Sequence, residues 1–437
     1  MSAHENNLIL IELNEINFDI VKKYLPDKKL QALANLFKGF NCNTEAEMEY
    51  ENLEPWIQWP SVHSGLTAIE HKIFRLGDVV NADIPQIFEK LEEKGLKVGC
   101  ISAMNAVNRL KNPSYFIPDP WTKTSSDSSW WSRKLTPAIA QTINDNSQSK
   151  ITLKSAFYLG LALIRFSQFK NLSTYFSLIL KSMNAPWRKA LIFDLLLHDI
   201  HLNFFKNKKP DFSTVFFNAG AHIQHHYFYN IKNISSENKN PEWYVKTSED
   251  PFHEMLMIYN RILSDYLNIK GVEWIVATGL SQKIFEEKDF YYRLKNHELF
   301  LNKLKINYKN VHPRMTRDFL VEFDNEDECS AACAKLSALK SKLNHNKIFD
   351  QVDNRGSSLF VTLTYNKEIT EDFEMTDGLN VMKLFDAVTF VAIKNGMHQS
   401  RGFLFASSGV EKFVDTNFGH VKNIYYVIDA YFNKIVV

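Results

Sequence analysis

Short apolar runs alternate along this chain with stretches that have the spacing of amphipathic helices, and this alternation limits the fold more than any other feature. LILIEL (Leu8–Leu13), FSTVFFNAG (Phe212–Gly220) and VEWIVATG (Val272–Gly279) have the apolar character of strands buried in a parallel sheet. A helix is predicted between the last two, from an N-cap at Asp250 to a stop at Gly271. Alternating strands and helices predict an α/β fold with a doubly wound, mainly parallel sheet.

Two stretches interrupt the alternation. Residues 150–206 look helical throughout and carry no sheet signal, which predicts a helical insertion or cap. A later stretch reads strand, helix, turn, strand, which predicts a small α+β insert. The predicted segments are three core parts at 1–125, 211–300 and 386–437, the helical insertion at 126–210, and the α+β insert at 301–385.

The charge balance limits the expected partners. The chain has 51 basic and 50 acidic residues and a net charge of +1, so no global field attracts nucleic acid. The N-terminus lacks the pattern of a signal peptide, and no apolar run approaches the ~18 residues of a membrane span. We expect a cytoplasmic protein. Lys and Arg punctuate the apolar stretch Ile151–Phe205, which leaves membrane contact through the insertion open; the oligomeric state is also left open.

Three histidines cluster in FFNAGAHIQHHYF (Phe216–Phe228). His222 and His226 are four positions apart, so on a helix they share a face and can bind one metal ion. His225 neighbours His222, and Asn218 ends the preceding strand. The alternative is that these imidazoles are solvated or hydrogen-bonded in a first helical turn. Ligands of such folds bind at the carboxyl ends of the strands, which favours a functional role.

A second polar cluster lies in LEPWIQWPSVHSGL. It holds Gln58, Ser61 and His63, and Pro55 and Pro60 are expected to prevent one regular helix. The segment SVHSGL is predicted to begin a helix whose free N–H groups receive an anion. Ser61 is a weak candidate nucleophile, because only His63 lies near enough in sequence to activate it.

Arginines provide two candidate anion sites. KNGMHQSRGFLF places His398 and Arg401 after a buried strand, where an arginine suits a phosphate, sulfate or carboxylate group. HPRMTRDF offers Arg314 and Arg317 before another strand. Paired arginines are more often a solvated edge, and this alternative stays open.

The order of these clusters resembles the alkaline phosphatase superfamily, in its type I phosphodiesterase and nucleotide pyrophosphatase branch. In that family a strand ends in Asp-Gly, followed by a Thr or Ser nucleophile before a Pro, an Asp-x-x-x-His, a Ser-Asp-His-Gly and a late Gly-x-His. The matching stretches are LIELNEINFD, IQWPSVHSGLTAIEHKIF, NAGAHIQHH, VATGLSQ and GMHQSRGF. They span residues 8 to about 405 in the family's order.

The sequence departs from the family at most metal-binding positions. Asn14 stands where the family has its first Asp, and Gln58 stands at the nucleophile. Asn218 replaces the Asp of Asp-x-x-x-His, and the later Asp-His pair is Gly279 and Leu280. Two hard cations need anionic ligands, so the family's two-metal mechanism is not expected here.

The resemblance leaves His222 and His398 as metal ligands. We therefore expect at most one divalent ion, or none. The predicted catalytic residues are Glu15, His63, His222 and His226. The predicted substrate-binding residues are Asn14, Gln58, Ser61, Asn218, His225, Ser281, Gln282, Arg401, Arg314 and Arg317. Glu15 or His63 is expected to act as base and His222 or His226 as acid, while Arg401 and a helix N-terminus hold the anion.

The leading prediction is an enzyme that acts by hydrolysis or group transfer on a phosphorylated, sulfated or nucleotide-linked sugar. One alternative is a non-catalytic pseudoenzyme that binds a glycan or a partner. Another is a glycan-modifying transferase of surface polysaccharide synthesis, which acts on a lipid-linked glycan through the helical insertion. The substrate is in each case a small molecule or a glycan.

Overall fold

The structure, a computed structural model, describes residues 7–144, 151–234, 237–314, 317–415 and 418–436, and the chain forms two compact units. The first comprises residues 7–143, 151–284 and 396–436, and the second comprises Phe285–Asn395.

The elements follow one another in this order. The first part of the chain contains β1 (Asn7–Leu13), α1 (Phe18–Lys22), α2 (Gln31–Leu36), β2 (Phe40–Glu45), α3 (Pro55–Ser64), α4 (Ala68–His71), α5 (Ile87–Glu93), β3 (Val98–Ile101) and β4 (Tyr115–Ile117). Next come α6 (Trp130–Asn144), α7 (Leu153–Phe166), α8 (Leu172–Ser182), α9 (Arg188–Lys208), β5 (Phe212–Phe217), α10 (Ala219–Tyr227), α11 (Pro251–Leu267), β6 (Val272–Ala277) and β7 (Ser281–Leu294). The rest comprises α12 (His297–Lys303), β8 (Asn310–Pro313), β9 (Asp318–Glu322), α13 (Glu326–Ala338), β10 (Lys340–Ser341), β11 (Gln351–Asn354), β12 (Ser358–Thr362), β13 (Glu374–Thr376), β14 (Val381–Lys383), β15 (Val388–Gln399), β16 (Arg401–Ala406), α14 (Ser408–Glu411) and α15 (Asn423–Val436).

The first unit is built on a seven-stranded sheet with the order β2-β16-β6-β1-β5-β3-β4. The five strands from β6 to β4 pair in parallel, and β16 runs antiparallel to both β6 and β2. The mainly parallel sheet predicted from the sequence is therefore confirmed. Its predicted strands at Leu8, Phe212 and Val272 become β1, β5 and β6, which lie side by side in the centre.

Helices cover both faces of this sheet, as the doubly wound prediction requires. Side chains of β1 alternate between the faces: Ile9 and Ile11 pack into one apolar cluster, and Leu8 and Leu10 into the other. The first cluster includes side chains of α1, α2 and α6 to α11, and the second includes side chains of α3, α5, α14 and α15. Since β1 is buried throughout, its polar continuation beyond Leu13 emerges at the carboxyl edge of the sheet.

Helix α3 corrects one prediction from the sequence. Pro55 occupies its first turn and Pro60 lies inside it, so the two prolines do not prevent a helix. A proline at position 60 cannot bond to the carbonyl of Trp56, and that carbonyl instead accepts a hydrogen bond from Asn105 Nδ2 at 2.8 Å. The segment SVHS ends α3 and does not begin a helix, so the anion site predicted at a helix start there is wrong.

Helices α6 to α9 lie within residues 126–210, where the sequence predicts a helical insertion. Helix α9 packs against β5 and β3 and is buried along much of its length. The second unit is wider than the predicted 301–385 insert. It contains a four-stranded sheet (β11-β12-β9-β8) and a three-stranded sheet (β10-β13-β14). No described helix is both long and apolar enough to cross a lipid bilayer.

Gly402 provides a test of the packing between β16 and β6. A Cβ atom at Gly402 would lie 2.6 Å from the backbone oxygen of Gly279 and 2.5 Å from Thr44 Oγ1. The backbone oxygen cannot yield without moving a strand end. We expect Gly402→Ala to lower the free energy of unfolding by about 1–3 kcal/mol, measured by urea denaturation.

Gly160 is the matched control, because it lies in the middle of α7 with open space around its Cα. Alanine there should raise stability by about 0.5–1 kcal/mol, the difference in helix propensity. Equal midpoints for the two variants would contradict the packing described.

Candidate active site

A turn after β1 carries the two side chains on which the site is built. The backbone N–H of Asn14 donates to the carbonyl of Phe217 at 3.0 Å, and that of Glu15 donates to the carbonyl of Thr278 at 3.1 Å. These bonds tie the turn to the ends of β5 and β6. Glu15 has a left-handed backbone, with φ of 63°, a conformation uncommon outside glycine and often found at functional sites.

The Glu15 carboxylate is buried and contacts four side chains. Its Oε2 atom lies 3.0 Å from His225 Nε2 and 3.1 Å from His398 Nε2, and it accepts a hydrogen bond from Gln282 Nε2. Its Oε1 atom accepts from Asn14 Nδ2 at 3.0 Å. The two imidazole Nε2 atoms are 3.3 Å apart. One carboxylate oxygen and two ring nitrogens therefore face one another.

Further polar groups hold these side chains in place. Asn14 Nδ2 also donates to Asn218 Oδ1 at 2.8 Å, while its own Oδ1 accepts from Trp59 Nε1 at 2.8 Å. On the far side of His398, Glu54 Oε2 lies 3.6 Å from Nδ1. A carboxylate behind a histidine fixes the orientation of its ring. Glu54 was not predicted from the sequence, because it acts across space from the start of α3.

Helix α10 is joined to the same turn by Gln224. Its amide nitrogen donates to the carbonyl of Glu15 at 2.9 Å, and its Oε1 accepts from the backbone N–H of Asn17 at 3.0 Å. Gln224 is buried, and it lies between His222 and His225 in the sequence. The prediction missed it because the sequence alone does not show which side of α10 faces the turn.

Electrostatics follow from this packing. Burial alone raises the pKa of the Glu15 carboxyl, but His398 and His225 outweigh it and hold that pKa well below its ordinary range. Burial lowers the pKa of His398, yet the charge of Glu15 dominates and raises it from 6.5 to about 9. For His222, burial, assisted by His225, lowers the pKa to about 4. His222 is therefore neutral at pH 7.

The histidines of α10 continue from Glu15 as a row of imidazoles. The ring centroids of His398 and His225 are 5.0 Å apart, those of His225 and His226 are 5.9 Å apart, and those of His226 and His222 are 5.1 Å apart. His225 is 31% exposed at its side chain, so the row is open to solvent beside Glu15.

Glu15, His225 and His398 form the one group in the described part of the chain that could hold a metal ion with three such side chains. Their donor atoms all lie within 4.8 Å of one another. Two imidazoles and one carboxylate suit Zn²⁺, Fe²⁺ or Mn²⁺. The hydrogen bonds from Asn14 and Gln282 and the nearby Glu54 carboxylate are the kind of support expected around metal ligands. His398 belongs to this group as predicted, but His222 does not, and His225 takes its place.

Two residues of α3 that were predicted to bind substrate, Gln58 and Ser61, are buried inside the protein. Gln58 accepts from the backbone N–H of Glu47 at 3.3 Å and donates to the carbonyl of Asn52 at 2.9 Å. Ser61 Oγ is 3.0 Å from His71 Nε2, and both residues are buried. The polar atoms of both side chains therefore take part in hydrogen bonds within the protein.

His63 is likewise internal. Its Nε2 atom lies 3.1 Å from Glu12 Oε1, and neither side chain is more than 1% exposed. Trp59 stacks on the His63 ring. Because solvent does not reach this pair, we leave His63 out of the site built on Glu15.

The predicted anion-binding groups are also engaged elsewhere. Arg401 pairs with Asp19 at 2.9 Å and donates to Asn43 Oδ1 at 3.0 Å. The N–H groups of Asn218 and Ala219, which begin α10, donate to Asp194, so that helix start is already capped by a carboxyl group. Ser281 Oγ donates to the carbonyl of Arg401 at 2.5 Å.

Arg314 and Arg317 belong to the second unit. Arg314 is exposed, and the Arg317 guanidinium lies 4.1 Å from the centre of the Tyr291 ring. The binding role predicted for this pair stays a prediction.

No family model matches this chain, and no curated protein matches its sequence. Among solved structures it is similar to phosphonoacetate hydrolase from Sinorhizobium meliloti 1021 (TM-score 0.42, 11% identity, 98% of this chain and 96% of that chain). It is also similar to murine ectonucleotide pyrophosphatase/phosphodiesterase 5 (TM-score 0.39, 10% identity, 98% and 95%). Alkaline phosphatase from the Antarctic bacterium TAB5 is a third (TM-score 0.35, 9% identity, 98% and 98%).

These three proteins belong to the alkaline phosphatase superfamily, the family that the sequence motifs resemble. Since the identities are near 10% and the TM-scores lie below 0.5, the function proposed below rests on the side chains of this chain.

The ion pair of Glu15 and His398 predicts a pH dependence of stability in the metal-free protein. The raised pKa of His398 means that its stabilising contribution is complete below about pH 6.5 and is lost as the pH rises through about 9. We expect wild type to lose on the order of 2–3 kcal/mol more than His398→Gln between pH 6.5 and 9.5, measured by urea unfolding in the presence of a chelator.

His312→Gln is the control, because His312 is exposed in the second unit. This variant should follow the wild-type curve. Parallel curves for wild type and His398→Gln would show that the pair does not couple as described.

Proposed function

We propose that this protein is a hydrolase of phosphate or sulfate esters that uses a single divalent ion held by Glu15, His225 and His398. The convergence of these three side chains at the carboxyl edge of the sheet carries the proposal. They supply one negative charge, enough for one ion and too little for two.

Water, and not a side chain, is the proposed nucleophile. The position that the resemblance assigns to the nucleophile is Gln58, which cannot form a phosphoryl intermediate and is bonded to two backbone groups. Ser61 is buried with His71. A divalent ion in this site would act as a Lewis acid toward the anionic ester and would lower the pKa of a water molecule.

Two residues, His226 and His222, are assigned to proton transfer and substrate contact, and Glu15 is excluded as a base. Glu15 cannot serve as a free base, because its carboxylate is surrounded by four hydrogen-bonding side chains. His226 is the proposed proton donor to the leaving group, since it follows His225 in the open row. His222, whose pKa is lowered to about 4, remains neutral and suits a hydrogen bond to a hydroxyl group.

A sugar ester is the substrate class that we propose. Asn218, His222, His226 and Gln399 are partly exposed polar side chains at or beside the imidazole row. Neutral amides and imidazoles can donate to and accept from sugar hydroxyls. A site that bound only the phosphate or sulfate group would not need these side chains.

Metal content distinguishes the proposed ligand set from the set predicted by the resemblance. We expect wild type purified without chelator to hold about one Zn²⁺, Fe²⁺ or Mn²⁺ per chain, measured by elemental analysis. Glu15→Gln, His225→Gln and His398→Gln should each weaken the binding of added metal by at least about 100-fold. His222→Gln is the matched control on the same helix and should retain the ion.

The outcomes separate three hypotheses. Loss of metal in His222→Gln with retention in His225→Gln would replace our ligand set with the family's. Absence of metal from every preparation, with no binding of added metal, would favour a non-catalytic binding protein. Turnover of aryl phosphates, aryl sulfates and sugar phosphates by wild type, lost in His225→Gln, would support the hydrolase directly.

Glu54 tests the group behind the ligands. Glu54→Gln keeps the size of the side chain but removes the charge that faces His398 Nδ1. We expect metal affinity to fall by about tenfold, less than for loss of a ligand, measured by competition with a fluorescent chelator. Glu49→Gln, an exposed change nearby in the sequence, should have no effect, and an unchanged affinity in Glu54→Gln would remove Glu54 from the site.

A further inference from the structure

The helical insertion exposes an unusual amount of apolar surface. Ten of the twenty-three large apolar residues that are exposed in the described chain lie between positions 151 and 183. We call them the apolar face: Ile151, Leu153, Phe157, Ile164, Phe169, Leu172, Phe176, Ile179, Leu180 and Met183. Leu153 and Phe169 are each 91% exposed. Scattered exposed apolar residues are normal, but a concentration of this kind marks an interaction surface.

The apolar face follows the geometry of the two helices. In α7 the exposed residues Leu153, Phe157 and Ile164 are separated by four and seven positions, so they form one stripe. In α8, Leu172, Phe176 and Ile179 are separated by four and three positions, so they also form one stripe. Both helices also bury other residues inside the first unit, so the exposed stripes are not the surfaces by which these helices pack into the fold.

Charge indicates what covers this face. Residues 151–190 contain no Asp or Glu, but they contain six cations in a chain whose net charge is only +1. The cations are Lys154, Arg165, Lys170, Lys181, Arg188 and Lys189. Lys170 and Arg188 pair with carboxylates of α11 and its approach. The other four are exposed, and none of them forms an ion pair within the described ranges. Lys154, Arg165 and Lys181 lie in the same helices as the apolar stripes.

We propose that the apolar face docks on an anionic lipid surface. Exposed Phe, Leu and Ile flanked by cations without acids are the composition of helices that lie in the interface of a bilayer. Helices α7 and α8 have 14 and 11 residues, too few to span about 30 Å of hydrocarbon. A second copy is disfavoured as the occupant, because it would bring two cationic surfaces together. This docking does not depend on the metal site.

The test is co-sedimentation of the full chain with vesicles. We expect binding to vesicles of phosphatidylcholine with about 30 mol % phosphatidylglycerol, and little binding to phosphatidylcholine alone. Phe157→Ser/Phe176→Ser should weaken binding by at least about tenfold. Lys154→Glu/Lys181→Glu should weaken it by a similar factor and reduce its salt dependence. All four positions are exposed, so the variants should fold, which circular dichroism would verify.

Matched controls come from the second unit and from the site. Leu343→Ser/Leu379→Ser changes two apolar residues of the second unit that are even more exposed than Phe157 and Phe176. Lys340→Glu/Lys367→Glu changes two exposed lysines there. These variants and His398→Gln should bind vesicles like wild type. No binding at low salt, or equal binding by wild type and both insertion variants, would overturn the proposal. Lipid-independent dimers that dissociate in Phe157→Ser/Phe176→Ser would assign the face to a second copy instead.

Discussion

The buried carboxylate of Glu15 is the interaction on which the site depends. An ionised carboxylate removed from water is costly unless charges and hydrogen bonds replace its hydration. Here two imidazoles and two amides do so, and they come from the turn after β1, from α10, from the start of β7 and from the end of β15. Four separate elements thus meet at Glu15, because each supplies a side chain that replaces water around its carboxylate.

The sheet topology explains why these elements can meet. Strand β1 lies between β5 and β6, so the turn after it is tied to both neighbours through Asn14 and Glu15. Helix α10 follows β5 without a loop and descends from the same edge. Its Gly220 allows the close approach, because a Cβ atom there would lie 2.0 Å from Ile16 Cδ1. The Ile16 side chain therefore packs directly against the backbone of α10 at Gly220.

The sequence was sufficient for the central strands, since apolar runs such as Leu8–Leu13 are long and unambiguous. It also singled out the histidine cluster and Glu15, whose functional role stays a prediction. It could not choose between His222 and His225, because residues three and four apart on a helix are near neighbours and the choice depends on how α10 is rotated. The helix through Pro60 was missed for a related reason: the carbonyl of Trp56, which the proline leaves free, accepts a hydrogen bond from Asn105, 49 residues further along the chain.

Glu12 and Glu15 show how accessibility decides function between similar groups. Glu12 lies in β1, and Glu15 lies in the turn that follows it. Both are buried, and each contacts at least one histidine. Glu12 and His63 are sealed beneath Trp59, and one oxygen of Glu12 has no hydrogen-bond partner in the described chain. That pair has no path to solvent. Glu15 instead faces His225, whose side chain is partly exposed, so an ion or substrate can reach it. The proposed metal site is therefore placed at Glu15, and Glu12 is left with a packing role.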